Sequence, residues 1–352
     1  MTRADIAVQG AGPVGCALSL LLHQQGNNVV LVEKKKAAAA SLRPIALSHA
    51  SRLILERAGV WQDLAPTAIE SVHVSQQGAF GRTQLSAADA GVPALGYVVD
   101  YRPLLESLRH AVTATGLRVQ PDAGDSALVV HAEGAASEAT EKNYRQEALV
   151  ALVTVRPAAA GTAWERFTPE GPLALLPLGG RTCVVWGMRP ERARKLRDAA
   201  PADFLAALAL AFGRRAGEFV AVEQRACAPL ALRVRRSRVG ERAAYIGNAA
   251  QTLHPVAGQG MNLGLRDAWD LAQVLRGAED PGEARVLRRF AALRRIDAAA
   301  TVRATDFLAG AFLGADPVAG LLRGLGLTAL DICLPARRFF ARRMIFGASA
   351  LP

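Results

Sequence analysis

The chain opens on a strand, a glycine loop and a helix, and this order restricts its fold more than any other stretch. Asp5-Ile-Ala-Val-Gln9 reads as a short strand, and Gly10-Ala-Gly-Pro-Val-Gly15 follows it directly. Residues 16–25 carry a helical pattern with Leu18, Leu21 and Leu22 facing inward. Gly26-Asn-Asn28 turns the chain, and Val29-Val-Leu-Val32 reads as a buried parallel strand ending in Glu33. Together these make the whole dinucleotide-binding fingerprint rather than a bare glycine spacing. Gly10 permits the tight turn, Gly12 lets a pyrophosphate approach the backbone, and Gly15 lets the helix lie close on the sheet. Glu33 stands at the offset that reaches a ribose hydroxyl, so an unphosphorylated adenosine ribose is expected.

A second joint of this kind lies far along the chain, in Tyr245-Ile-Gly-Asn-Ala-Ala-Gln-Thr-Leu-His-Pro-Val-Ala-Gly-Gln-Gly-Met-Asn-Leu-Gly-Leu-Arg-Asp267. A strand over 243–246 ends at Gly247, and Pro255, Gly258 and Gly260 shape a loop. A helix is expected from about Asn262, with Leu265, Trp269, Leu271 and Leu275 on one stripe. Unpaired N–H groups at such a helix start attract negative charge. Alone, this joint fits a closely packed strand–turn–helix equally well. Paired with the N-terminal fingerprint it implies FAD, a long cofactor whose flavin end needs a second anchor. Arg43-Pro-Ile-Ala-Leu-Ser48 follows the adenosine half, and Arg43 is expected to make a polar contact to the cofactor.

The rest of the chain divides around these anchors. With 352 residues, 51% of them hydrophobic, it can bury more than one structural unit. Residues 71–85 alternate like a hairpin turning at Gly78 and Gly81, and 97–108 read as a strand running into a helix. Strands are expected at 117–119, 127–131, 149–155, 163–167, 173–178, 182–186 and 225–233, with helices at 201–215 and 282–312. The cofactor unit is therefore expected over 1–68, 96–146 and 240–282, and the substrate unit over 69–95 and 147–239. Residues 283–352 form a C-terminal helical region.

The net charge of +11 and pI of 10.2 would suit nucleic acid, but five of the 42 basic residues are lysine, leaving 37 arginines, and aromatics are only 5%. Without basic–aromatic stacking surfaces, nucleic acid is not an expected partner. An anionic lipid surface or acidic partner fits better. Cys16, Cys183, Cys227 and Cys333 are scattered, with no metal-ligand spacing, as expected of a reducing compartment. The first strand leaves no room for a signal peptide, and the most apolar late run, 308–334, is broken by Asp316, Pro317, Arg323 and Asp331. A cytoplasmic protein is expected. Four arginines and several large apolar residues in Leu334-Pro-Ala-Arg-Arg-Phe-Phe-Ala-Arg-Arg-Met-Ile-Phe346 suggest peripheral contact with the inner face of the membrane.

The fingerprint with Glu33, the Arg43-Pro-Ile-Ala-Leu segment and the loop from Gly247 together resemble the single-component FAD aromatic hydroxylases, most closely their ubiquinone-biosynthesis branch. Most relatives carry Gly-Asp and then Ala-Ala-His at the late loop. Here Asn248, Gln251 and His254 give the variant that resembles hydroxylases of polyprenylated methoxyphenols, as does Trp164-Glu-Arg-Phe-Thr-Pro-Glu-Gly-Pro-Leu-Ala-Leu-Leu-Pro177. The resemblance implies an α/β fold: a Rossmann-like FAD-binding domain of the glutathione-reductase/4-hydroxybenzoate-hydroxylase type, an inserted mixed-sheet substrate domain and C-terminal helices. It implies FAD, NAD(P)H as electron donor, O2, and a flavin C4a-hydroperoxide that passes a hydroxyl to an electron-rich polyprenylated phenol. It places His254 and Pro255 at the reactive edge. Cofactor contacts would come from Gly10, Gly12, Gly15, Glu33, Arg43, Arg102, Glu133, Gly134, Asn248, Gly258, Gln259, Gly260, Met261 and Asn262. Metal ligands are not implied, and membership of a ubiquinone-biosynthesis complex is.

Two departures bear on reduction by NAD(P)H. Ala132-Glu133-Gly134 replaces the usual Ala-Asp-Gly, with Ser137 present but no arginine at Thr140 or Glu141, and 118–129 is shorter than the family pattern. An idle flavin-binding subunit and a flavin-dependent isoprenoid reductase therefore remain open. Oxygen-dependent product formation separates them from a hydroxylase.

Overall fold

The computed structural model describes residues 5–33, 43–158, 160–254, 258–311 and 316–348. Three sheets organise them. The first has six strands in the order Val239–Gly240, Ala243–Tyr245, Leu128–His131, Ile6–Gln9, Val29–Val32, Arg118–Gln120. All neighbours except the first pair run parallel, with Ile6 opposite both Val29 and Leu128. The unbroken Val and Ile runs of its central strands suit a sheet covered on both faces. Helices Pro13–Gln24, Tyr101–Ala114 and Gln259–Leu275 share its hydrophobic core. Residues 121–127 join two of its strands without a strand of their own.

The second sheet has eight strands, ordered Gln251–Thr252, Glu218–Arg235, Ala139–Arg156, Arg181–Met188, Gly171–Leu178, Thr162–Thr168, Ser71–Gln76, Arg82–Ser86. Its two longest members, Ala139–Arg156 and Glu218–Arg235, are 18 residues each and pair antiparallel from end to end. Both exceed the stretches expected from apolar alternation. Their outer halves are polar and are held by cross-strand pairs such as Arg233 on Glu141 at 3.1 Å, which periodicity does not register. The third sheet, Pro44–Ser48, Gly96–Asp100 and Thr67–Ile69, is small and antiparallel.

Helix Pro190–Asp198 escaped the pattern because it is mostly charged, and Pro201–Phe212 stops short of 215 because Gly213 adopts φ 83°. The late helix starts at Gln259, a turn before Asn262, behind a left-handed Gly258. It was expected to bury one stripe, yet Arg266, Asp267 and Asp270 are buried as well. The reason is helix Ala284–Ala311, which covers the polar side with buried Arg294 and Asp297. Helices Pro317–Ile332 and Leu334–Phe346 follow, bent at 97°, and among the described residues no single helix is long and apolar enough to cross a membrane.

Candidate active site

A cavity of about 1030 Å³ runs from the N-terminal glycine loop to the eight-stranded sheet and the C-terminal helices. It is at the upper end of the roughly 300–1,000 Å³ usual for small-molecule sites. Gly10 and Gly12, Glu33, Arg43, Glu133, Gly134, Asn248 and Gly258 to Asn262 all line it. Segments more than two hundred residues apart in sequence thus meet at one opening.

The fingerprint glycines divide by role. Gly10 has φ +111°, and a Cβ there would lie 2.5 Å from the Glu133 Cβ. A Cβ on Gly15 would overlap the Gly10 carbonyl oxygen, so Gly15 serves helix-to-sheet packing and does not line the cavity. Gly12 is different. Its φ of −79° is open to any residue, and no described atom stands within 4 Å of where its Cβ would be. It caps helix Pro13–Gln24 without a side-chain cap, and with Pro13 and Val14 it brings the N-terminus of that helix to the cavity. Gly260 repeats this at the other end, lining the cavity in the first turn of Gln259–Leu275 with no described atom near its Cβ position. A glycine in a helix costs about 1 kcal/mol against alanine. The protein's own packing gives no reason for either, whereas a ligand pressed on both backbones does. The residues present therefore fit a long cofactor with a phosphate centre.

At the Glu33 end of the cavity, Arg109 of helix Tyr101–Ala114 is ion-paired with Glu33, and its buried Nε has no hydrogen-bond partner among the described residues. No local signal at Arg109 announced this. The Arg43 guanidinium lies 4.5 Å from the centroid of the Tyr101 ring, which holds it at the cavity wall. Asn262 lines the cavity, but its amide is taken. Its Oδ1 accepts from Ser48 N at 2.8 Å and Ser51 Oγ at 2.7 Å, and its Nδ2 donates to the Ala46 and Gly258 carbonyls. It therefore clamps the 44–48 strand to the late loop.

Two further expected residues fall elsewhere. Arg102 is two-thirds exposed and bound to Glu106 one turn along its helix at 2.8 Å, so it does not reach the cavity. His254 is buried outside the cavity lining, edge-on to the Tyr144 ring at 5.0 Å. The neighbouring pair Gln251–Thr252 joins the edge of the eight-stranded sheet, and the chain after it carries the imidazole into the core beside Tyr144. Pro255 lies outside the described residues. An arginine missing near Ser137 in sequence is supplied by Arg235, which donates to the Ser137 carbonyl at 2.7 Å and lies over the Tyr245 ring.

Burial drives the His254 imidazole down to about 4, with Asp306 opposing. In the unfolded chain it titrates near about 6.5. Above that value neither state takes the proton, so the stabilisation is complete. As pH falls the unfolded state alone binds it, and stability drains until the folded value is passed. We expect about 2 kcal/mol to be lost between pH 6.5 and 5, at about 1.4 kcal/mol per unit. Urea unfolding across that range should show wild type losing about that much more stability on acidification than His254→Phe; equal slopes in the two proteins would refute the assignment.

Beneath the loop lies a buried ionic cluster. Arg294, fully enclosed, donates to Asp267 at 2.8 Å and Asp270 at 2.6 Å and pairs with Asp297 at 2.7 Å. Arg266 also holds Asp297, and Arg238 holds Asp267. Asp267 accepts in turn from Gln251 at 2.8 Å and from Gly247 N at 3.2 Å. Three arginines thus balance three aspartates and pin the start of the late loop to its helix. Burial works against both Asp267 and Asp297, and the arginines overcome it, holding both carboxyls below the ordinary range.

Comparison with known proteins gives the same picture. A sequence model of the FAD binding domain family matches residues 3–148 and 122–305. The chain is 31% identical over 382 residues to ubiquinone hydroxylase UbiL of Rhodospirillum rubrum, spanning 96% of this chain and 89% of that protein. It is 30% identical over 370 residues to 3-demethoxyubiquinol 3-hydroxylase of Escherichia coli K12, spanning 93% and 94%. Among solved structures, p-nitrophenol 4-monooxygenase PnpA from Pseudomonas putida DLL-E4 superposes with a TM-score of 0.77 at 16% identity over 99% of each chain. Pseudomonas aeruginosa PqsL in complex with 2-aminobenzoylacetate gives 0.70 at 20%, over 97% of this chain and 99% of that one. These two share the fold. On the whole-length relatives and the family match, the chain belongs to the FAD binding domain family, among the FAD-dependent aromatic monooxygenases of its ubiquinone-biosynthesis branch.

Proposed function

We propose that this enzyme hydroxylates the ring of a polyprenylated phenol, of the methoxyphenol class, on the ubiquinone path, with O2 as co-substrate and NAD(P)H as electron donor. The observation that carries the reading is the continuity of the cavity, from the Gly12 cradle past Gly260 onto an apolar sheet face and the apolar C-terminal helices. A flat ring with a long apolar tail needs such a path. The hydroxylase names of its relatives support the same class of substrate.

FAD, when bound, supplies the reduction of O2 and the delivery of one oxygen atom to the ring. The chain's part is to hold and to shield. Glu33 and Arg109 would take the adenosine ribose, and the helix N-terminus behind Gly12 would face the pyrophosphate. The N–H groups opening Gln259–Leu275 would stabilise negative charge on the flavin ring. Val72, Val74, Phe167, Leu176 and Leu327 exclude water from the reacting face. Quinone-intermediate profiling of a deletion strain, with and without this chain, tests the reading. Accumulated methoxyphenol should be cleared only in air; clearance without oxygen would indicate a reductase, and an unchanged profile an idle subunit.

The same reading has the enzyme collecting its substrate at an anionic bilayer surface. Val318, Leu321, Leu322 and Leu325 lie on one stripe of helix Pro317–Ile332 and are half or more exposed. Leu322 also lines the cavity, and Arg338 and Arg342 are exposed on the next helix. The sequence pointed instead to Leu334–Phe346, but its Ala341 and Ile345 are buried against Ala50, Leu85 and Leu95. Replacing Val318, Leu321 and Leu325 together by serine should abolish flotation with anionic liposomes, and equal flotation would remove this helix from the argument.

A further inference from the structure

The cavity face of the eight-stranded sheet is largely apolar, and two of its polar exceptions, Glu165 and Thr83, stand in one row. Val185 pairs with Ala174, Ala174 with Glu165, Glu165 with Val74, and Val74 with Thr83. All five line the cavity. Residues directly opposite across neighbouring strands project from the same face, so Glu165 and Thr83 flank Val74 at about 10 Å between backbones.

Glu165 Oε1 and Thr83 Oγ1 are both buried, and neither meets a hydrogen-bond partner among the described residues. Leaving such atoms unsatisfied is costly and uncommon. Glu165 as a whole keeps part of its surface accessible, through the cavity, while that oxygen is sealed. Basic groups nearby do not neutralise it. Arg166, next on its strand, is spent on the Ala211 carbonyl and Ser75 Oγ, and His73 lies tilted against Trp164 beside Arg215. Arg82 is exposed on the hairpin strand, and strand Gly171–Leu178 carries no titratable group. Arg43 and Arg323 belong to other walls of the cavity. Burial alone pushes the Glu165 carboxyl up to about 7.

We propose that Glu165 and Thr83 are the polar contacts for the substrate ring: the Glu165 carboxylate accepts the proton of the phenol hydroxyl through the oxygen it presents to the cavity, and the Thr83 hydroxyl donates to a second ring oxygen. The proposal rests on the phenol reading above and assigns the residues that activate and orient the ring. In the step, the phenol O–H bond breaks, a carboxyl O–H bond forms on Glu165, and the electron pair stays on the phenol oxygen. Nothing is oxidised or reduced. The added electron density at the ring carbons favours attack by an electrophilic oxygen. A carboxyl with near-neutral proton affinity is matched to this task. Val74 between the two contacts gives the ring an apolar floor.

The test uses the FAD-loaded enzyme and two probes, 4-nitrophenol and 2-methoxy-4-nitrophenol, with binding read by flavin fluorescence. In wild type the complex shares one proton, so affinity should fall about 10-fold per pH unit once probe and carboxyl are both ionised. In Glu165→Gln that fall should vanish, because no carboxylate repels the phenolate, while turnover drops about 100-fold or more. Glu165→Asp should restore the fall with pH and part of the rate. Thr83→Val should weaken the methoxy probe about 10-fold and leave 4-nitrophenol unchanged. FAD content reports whether each variant is folded. The inference is overturned if wild type binds neither probe, if Glu165→Gln keeps the wild-type pH dependence, or if Thr83→Val weakens both probes alike. Failure of the function reading looks different: the deletion strain's quinone profile is unchanged while the probe pattern stands.

Discussion

Arg294→Met is expected to destabilise the protein severely, bringing its urea-unfolding midpoint at pH 7 far below that of wild type. Arg294 is wholly buried and contacts Asp267, Asp270 and Asp297. Burial opposes its charge, and the three carboxylates more than offset this, raising its proton affinity. Removing it leaves three carboxylates in a dry helix interface short of their shared cation. Breaking a buried ionic group from one side costs about 3–5 kcal/mol, a large part of the roughly 5–15 kcal/mol that holds a protein folded. Arg294→Lys should fall between, since an ammonium is a single point and cannot fork to three acceptors. Urea unfolding at pH 7 measures both; wild-type midpoints would refute the account. The cluster also predicts an acid limit. Its aspartates contribute fully above the unfolded carboxyl value of about 3.9, and that contribution is lost as pH falls through their depressed folded values. This window lies below the one set by His254, so the two are separable.

Gly12→Val should yield a folded, colourless protein, whereas Gly15→Val should yield little folded protein at all. At Gly12 the backbone angles tolerate a side chain and no described atom is near, so the only thing displaced is the ligand. Loss of FAD affinity by about 100-fold or more, some 3 kcal/mol, is expected. At Gly15 the new carbon would collide with the Gly10 carbonyl and crowd Ala132, which directly follow two strands of the sheet on which the helix rests. Neither can move without breaking the fingerprint turn. FAD titration and thermal unfolding of the two proteins check this. Retained FAD in Gly12→Val would remove the cradle from the site, and a stable Gly15→Val would show that the helix can shift.

The buried cluster links these expectations. Asp267 receives the Gly247 N–H, and the same helix carries Gly260 at the other end of the cavity. A weakened cluster should therefore loosen the flavin end before the adenosine end. Gly264 adds a steric condition, since a Cβ there would sit 2.8 Å from Val14 Cγ2, in the helix that follows the first glycine loop. Both anchoring segments are packed against each other, so a cofactor held by both would lie along their seam.

The sequence by itself determined whatever contiguous residues can encode. The first glycine loop and the two strands around it are short-range backbone geometry and apolar period, and they stand where the pattern put them, with the helix between them starting three residues earlier. The likeness of three motifs to one family was legible for the same reason. What only tertiary structure decided is which distant side chains face one another. Glu33 found Arg109 seventy-six positions away, Ser137 found Arg235 ninety-eight away, and the polar side of the late helix found Arg294. Motif adjacency put His254 and Arg102 in the site, but strand pairing sent one into the core and an ion pair one helical turn along held the other in solvent. Glu165 was read only as one letter of a motif. Its exposure to the cavity depends on the register of its own strand between two neighbours, and a shift of that strand by one residue would turn it to the other face.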